Sequence, residues 1–183
     1  MRLTLYIKVI VFCFFSTVSY SQEEIKWISL EDAVYLQEAA PRNIIIDMYT
    51  KWCGPCRLLD RNTFANKDVA KYINDNFYAV KFNAEGGNPI NFKGKVYKNP
   101  SFVKGKPGRN SSHNFARYLG VYSYPTLVFF DESANPITPI TGYLNPKQLE
   151  IYLNLFKDKK YLEIKNQEDF KKFISSFVSS FKG

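Results

Sequence analysis

The sequence predicts an α/β domain. Short β-branched and aromatic runs, NIIIDMYT at 43–50, FYAVKFN at 77–83 and TLVFFD at 126–131, alternate with segments of helical period. The first of these runs leads directly into two cysteines, Cys53 and Cys56, separated by Gly54 and Pro55. A hydrophobic fraction of 45% suits one domain with a sizeable core and excludes a disordered or wholly membrane-embedded chain.

The elements follow in order. Residues 1–21 read as a secretory signal: Arg2 and Lys8 without acids, then VIVFCFF, an apolar run too short to span a bilayer, then small Ser19 and Ser21. Cleavage is expected after Ser21, and a retained N-terminal membrane anchor is the competing reading. Removal of the signal takes Cys13 with it and lowers the formal charge from +8 to +6. The mature chain then holds a single cysteine pair, so it is no disulfide-dense scaffold. Its moderately basic surface carries no nucleic-acid motif.

SLEDAVYLQEAA opens on Ser29 with Asp32 three residues on, a weak capping box, and Ala33, Leu36 and Ala40 recur at helical spacing. A helix is expected to start at the cysteine loop and to be interrupted by TFAN. Asn66 is expected to cap the next helix, with Val69, Tyr72 and Ile73 inward. Residues 84–114 change character, with six cations against Glu85 alone. They read as a long insertion in which INFKGKVY is a possible hairpin, with Ile90, Phe92, Val96, Tyr97 and Phe102 as the residues that pack. HNFARYLG is a short helix ending at Gly120, with His113 at its start read as a surface or capping residue. Pro139 marks ITPITGY as an edge strand, and Pro146 opens the helix NPKQLEIYLNLF. In the tail, Phe170, Phe173, Ile174, Phe177, Val178 and Phe181 share one helical face, with Asn166 as cap; a helix packed on the domain is expected, against a partner- or membrane-docking helix.

The cysteine pair admits several chemistries. A structural zinc site needs about four ligands, and the mature chain offers two cysteines and His113, so no metal is expected. A disulfide closing so small a ring removes little chain entropy, which is a poor reason to keep one for stability. Redox chemistry does need this spacing. At a helix N-terminus the sulfur of Cys53 faces free N–H groups and the positive end of the dipole, which favours its thiolate and makes it the nucleophile. Cys56, one turn further and deeper in the fold, is placed to resolve a mixed disulfide. Gly54 permits the tight turn into the helix, and Pro55 fits the first turn.

The motif WCGPC resembles the active site of the thioredoxins. The resemblance extends in order: Asp47 six residues before Cys53, AVKFN with Lys81, SYPT, and ITGYLNPKQL with Gly142 before the last helix. The stretch MYTKWCGPCRLLDRNTFANKDV looks closer still to the C-terminal domain of thiol–disulfide interchange protein D. The resemblance covers roughly residues 24–156. It implies a thioredoxin fold, a central mixed sheet flanked by helices, with an insertion before the cis-Pro strand and an extra C-terminal helix. The domains are then a signal peptide at 1–21, a thioredoxin-like domain at 22–156 with insertion 84–114, and a helical extension at 157–183.

Pattern alone puts Ile45, Asp47 and Tyr49 on one strand face and leaves Asp47 and Lys81 open to an ordinary strand-end reading. The resemblance implies more: Cys53 and Cys56 as catalytic cysteines, Asp47 as a buried carboxyl that takes the Cys56 proton, and Lys81 as its tuning partner. It also implies a substrate surface of Trp52, Gly54, Pro55, Tyr124, a cis Pro125 and Gly142. No cofactor is expected beyond the Cys53–Cys56 disulfide, and no nucleotide fingerprint is present. An exported protein-disulfide reductase is therefore expected, in the periplasm. Its partners would be protein disulfides and an external electron donor, a membrane thiol–disulfide transporter being the candidate. An oxidase or isomerase, or a non-catalytic peptide-binding or chaperone-like module, are the alternatives.

Direction follows from charge. The potential gap between DsbA and thioredoxin, on the order of 150 mV, is about 7 kcal/mol, and a thiolate pKa near 3.5 rather than 7 supplies about 5 of it. Gly54 and Pro55 bring no charge to stabilise a thiolate so strongly; only Lys51 and Arg57 lie near, outside the loop. The insertion is read as a partner-selecting surface that takes no part in the sulfur chemistry, with a plain surface excursion as the alternative.

Overall fold

Residues 23–182 are described in a computed structural model; the expected signal segment 1–21, with Cys13, lies outside them. In chain order the elements are β1 (Trp27–Ile28), α1 (Leu30–Ala39), β2 (Asn43–Tyr49), α2 (Gly54–Leu59), α3 (Lys67–Asn76), β3 (Phe77–Asn83), β4 (Ile90–Phe92), β5 (Lys95–Tyr97), α4 (Asn114–Tyr118), β6 (Thr126–Phe130), β7 (Pro136–Thr141), α5 (Pro146–Lys157) and α6 (Gln167–Ser176). A five-stranded mixed sheet runs β1-β3-β2-β6-β7, with β1, β3 and β2 parallel and β6 and β7 antiparallel to their neighbours. This is the thioredoxin fold. Pro139 sits on β7, the edge strand, where its missing N–H breaks no ladder on the open side.

Both faces of β2 are covered, so its apolar side chains enter layers on either side. Ile44, Ile46 and Met48 pack with Leu30 and Ala33 of α1, Phe115 of α4 and Phe130 of β6. Ile45 packs on the other side with Leu59 of α2, Val69 and Ile73 of α3, and Leu149, Leu153 and Phe156 of α5. Ser29 caps α1 by accepting the Asp32 N–H at 3.0 Å, and Asn66 caps α3 by accepting from Asp68 and Val69. Asn145 and Gln148 form a reciprocal capping box at α5, with Pro146 in its first turn.

Several expectations are corrected. In α1 the buried residues are Leu30, Ala33 and Gln37, whereas Leu36 and Ala40 are exposed. Gln37 turns inward because its amide donates to the carbonyls of Arg42 and Asp131. TFAN does end the helix, at Ala65 and Asn66, but α2 first widens into a π-helical stretch, Asp60–Phe64. His113 is no surface residue. Its Nδ1 accepts the Phe115 N–H at 3.1 Å and its Nε2 donates to the Asn88 carbonyl at 3.1 Å, so it caps α4 from inside. Burial pushes its pKa down against that Asn88 bond, favouring the neutral ring.

The insertion is half core and half surface. Its hairpin β4–β5 turns at Lys93 and Gly94, both at positive φ. Phe92, 1% exposed, meets Phe115 and Phe130 edge-on, and Tyr97 is buried beside it, whereas Val96 points out. Among the described residues no helix is long and apolar enough to cross a membrane.

The tail departs most from the periodic reading. Helix α6 ends at Ser176, so Phe177 and Phe181 do not continue its face, and Val178 is 88% exposed. The chain extends instead and buries Phe181 against Tyr72. The Glu150 carboxylate of α5 anchors this turn, accepting from the hydroxyls of Ser179 and Ser180 and, at 3.0 Å, from the N–H groups of Ser180 and Phe181. Burial works to raise the pKa of Glu150, but those donors outweigh it and hold the carboxyl below its ordinary value.

Glu150→Gln is expected to lower the unfolding free energy by about 1–3 kcal/mol at neutral pH. A depressed folded pKa contributes stability above the unfolded value that is lost as pH falls through the folded one. The gap between variant and parent should therefore close in acid, which urea unfolding at neutral and acidic pH measures. Equal midpoints at neutral pH would show that the carboxylate does not hold the tail.

Candidate active site

The site forms where β2 ends and α2 begins. Cys53 is the N-cap of α2: its N–H donates to the Thr50 carbonyl at 3.2 Å and its sulfur accepts the Cys56 N–H at 3.1 Å. Pro55 lies in the first turn, where no N–H is needed. The two cysteines are joined as a disulfide. Cys56 was expected to lie deeper than Cys53, but they are 3% and 1% exposed. The capping geometry tucks Cys53 against its own helix as firmly as the helix buries Cys56. Gly54 is not sterically required, since a Cβ there would meet only the Arg57 guanidinium, at 3.9 Å.

Parallel pairing of β2 with β3 sets Asp47 directly beside Lys81, and Lys81 Nζ lies 3.1 Å from Asp47 Oδ2. Asp47 shares its strand face with Ile45, over which α2 packs Leu59; Cys56, one turn before Leu59, is on that same buried helix face. Oδ1 of Asp47 has no hydrogen-bond partner among the described residues. Burial raises the pKa of this carboxyl from 3.8 to about 6, against the opposing pull of the Lys81 ammonium. Burial also disfavours the charge on Lys81, but Asp47 and Asp60 outweigh it and raise its pKa. Lys81 bonds Asp60 as well and lies 5.0–5.7 Å from the ring centroids of Trp27, Tyr49 and Phe64. Asp60 escaped the sequence reading; its signal was its position four residues after Cys56, at the next turn of the same helix.

The far wall comes from the approach to β6. The Tyr124–Pro125 peptide bond is cis, and the Pro125 carbonyl accepts the Gly142 N–H at 2.9 Å. Gly142 has φ 108°, a conformation that suits glycine. Trp52 and Tyr124 meet edge-on with centroids 6.1 Å apart. The Trp52 indole N–H donates to Glu85 at 2.9 Å, and the Arg109 guanidinium lies 4.3 Å above its ring. Glu85 and Arg109 were also missed, although Glu85 stands out as the lone acid of residues 84–114. The structure thus brings Cys53, Cys56, Asp47 and Lys81 to one end of the sheet. Trp52, Tyr124, Pro125 and Gly142 lie in loops there, and Gly54 and Pro55 in the first turn of α2. The described residues contain no cluster of three or more potential metal ligands.

Comparison with known proteins agrees with this geometry. A family model described as a thioredoxin-like domain matches residues 30–157. The thiol:disulfide interchange protein DsbD of Haemophilus ducreyi is 23% identical over 117 residues, 62% of this chain and 16% of that protein. DsbD of Tatumella citrea is 25% identical over 122 residues, 64% of this chain and 17% of its own length. The chain thus spans about one sixth of the length of these curated relatives. A thioredoxin-fold protein from Helicobacter pylori superposes with a TM-score of 0.55 at 20% identity, covering 74% of this chain and 81% of that one. A putative disulphide-isomerase from Bacteroides thetaiotaomicron does so with a TM-score of 0.51 at 25% identity, covering 74% and 94%.

Asp47→Asn tests the electrostatics. A carboxyl whose folded pKa is raised costs stability as pH rises from its unfolded value toward the folded one. For Asp47 that window runs from 3.8 to about 6 in the oxidised protein. The variant should therefore be no more stable than the parent near pH 4, yet gain up to about 3 kcal/mol on it by pH 7. Urea unfolding across that range measures the difference; a gap that does not grow with pH would contradict a raised pKa.

Proposed function

We propose, on the premise that the chain belongs to the thioredoxin-like domain family, that it is an exported thiol–disulfide oxidoreductase that reduces protein disulfides. The observation that carries this reading is the disulfide at the N-terminus of α2, set over a buried carboxyl whose pKa lies near 6.

In the reduced protein the Cys53 thiolate, favoured by the helix N-terminus, attacks one sulfur of a substrate disulfide. The substrate's other sulfur leaves as a thiolate, and a mixed disulfide joins the two proteins. Asp47 then takes the proton of Cys56. The Cys56 thiolate attacks the Cys53 sulfur, the second substrate sulfur leaves, and the Cys53–Cys56 disulfide is restored. Two electrons have passed to the substrate. Lys81, shared between Asp47 and Asp60, holds the carboxyl in place and limits how far burial raises its pKa. Tyr124 has no backbone hydrogen bond among the described residues, which leaves its peptide groups for an extended substrate beside the sulfurs. Trp52, Gly54, Pro55, cis Pro125 and Gly142 frame that contact.

The reducing direction rests on the uncharged Gly54–Pro55 loop. An external dithiol donor must reset the pair, and a membrane thiol–disulfide transporter suits an exported protein. The N-terminal signal reading supports export, with the periplasm as the compartment.

Reduced protein is expected to cleave an accessible protein disulfide, and Cys53→Ser to abolish this. Cys56→Ser should accumulate mixed disulfides on Cys53. Asp47→Asn should slow resolution roughly a hundredfold at pH 7, and less above about pH 9, where a thiol ionises unaided. Stopped-flow and trapping assays read these steps; undiminished activity of Cys53→Ser would remove it as nucleophile. A reduction potential below about −230 mV supports the reducing direction, and one near −120 mV would make the protein an oxidant.

A further inference from the structure

Segment 99–110 of the insertion packs against the redox face. Asn99 donates to the carbonyls of Gly86 and Ser111, and the Asn110 side chain closes onto Val103 at 3.1 and 2.8 Å. Phe102 lies so close on Gly87 that a Cβ there would fall 2.4 Å from its ring. Glu85 ties this segment to the site, accepting from the Trp52 indole at 2.9 Å and from the Asn110 N–H at 2.7 Å. A cleft of about 610 Å³ lies between the segment and the C-terminal ends of β2 and β3, with Trp52 in its wall.

The charges of this cleft are unevenly spent. Glu85 is occupied as above, Glu31 accepts the Asn91 N–H, and Lys81 is bound to Asp47 and Asp60. Lys51 and Lys106, also in the lining, have no ion-pair partner among the described residues. Nor has Arg109, which stands outside the lining with its guanidinium carbon 4.3 Å over the ring of Trp52 in the cleft wall. A guanidinium already placed over an aromatic ring has lost part of its freedom, and its N–H fork can match a carboxylate bidentately with less further ordering.

We propose that the Trp52 rim of this cleft receives the acidic flank of the substrate: an extended polypeptide with Asp or Glu within a few residues of the disulfide cysteine, its carboxylate seated on Arg109 at that rim and its charge supported by Lys51 and Lys106 of the lining. The inference rests on the disulfide-exchange reading and adds the substrate class. Arg109 is then a specificity-determining residue, attached to Trp52 one position before Cys53.

The test separates docking from chemistry. Cysteine-free peptides, one with two glutamates and one with glutamines in their place, are titrated into the oxidised protein. The acidic peptide should bind about tenfold tighter at low salt, with the advantage fading at about 0.5 M salt. Arg109→Gln should bring the ratio toward one, and Arg109→Glu should turn preference toward a lysine-flanked peptide. Equal affinities in the parent, or a preference that survives Arg109→Gln, would overturn the proposal. The same peptides carrying a disulfide are then offered to the reduced protein. Reduction of both at equal catalytic efficiency would overturn the specificity role of Arg109 and leave the exchange reading intact. Reduction of neither, with the docking preference present, would overturn the exchange reading and leave the docking site standing.

Discussion

The arrangement at the active end of the sheet depends on one buried contact, Asp47 with Lys81. Ionised groups are expensive to bury unless paired, and Asp47 is 1% exposed in the central strand. Parallel register puts its partner on the next strand at the same level, so the backbone ladder and the ion pair fix one another. The balance is incomplete: Lys81 divides its charge between Asp47 and Asp60, and burial prevails at Asp47. A carboxyl left near pH 6 under α2 can accept a proton at neutral pH and return it. A fully compensated pair would be ionised too firmly to do so.

The insertion joins this centre to the surface. Its hairpin is anchored through Phe92 and Tyr97 in the layer that also holds β2, and its second half is anchored through Glu85 at Trp52. A segment held at both ends by core packing and by hydrogen bonds differs from a loose loop. One of its cations, Arg109, is thereby placed over Trp52, the residue before Cys53, and a fixed position is what recognition of a particular flanking sequence needs.

Much of this was legible in the sequence because it depends on local pattern. The β-branched runs, the capping residues Ser29 and Asn66, Pro139 at the edge and the helix after Cys53 follow from period and turn chemistry. Asp47 beside Lys81 followed from strand alternation together with the thioredoxin resemblance. What was missed is non-local. Glu150 reaches Ser179–Phe181 about thirty residues away, and no periodicity announces that the tail helix will stop at Ser176. Glu85 and Arg109 meet Trp52 only through the path of the insertion. Gln37 enters the core, displacing Leu36, because two backbone carbonyls await its amide.

The most direct measurement is a carbon-13 NMR titration of the Asp47 side-chain carboxyl in the oxidised protein. A midpoint at about 6 is expected, since burial outweighs Lys81 there. A midpoint at the ordinary value of 3.8 would mean that Lys81 fully compensates the burial. Asp47 would then be a fixed anion with little capacity to hold the proton of Cys56, and proton transfer at this centre would need another acceptor.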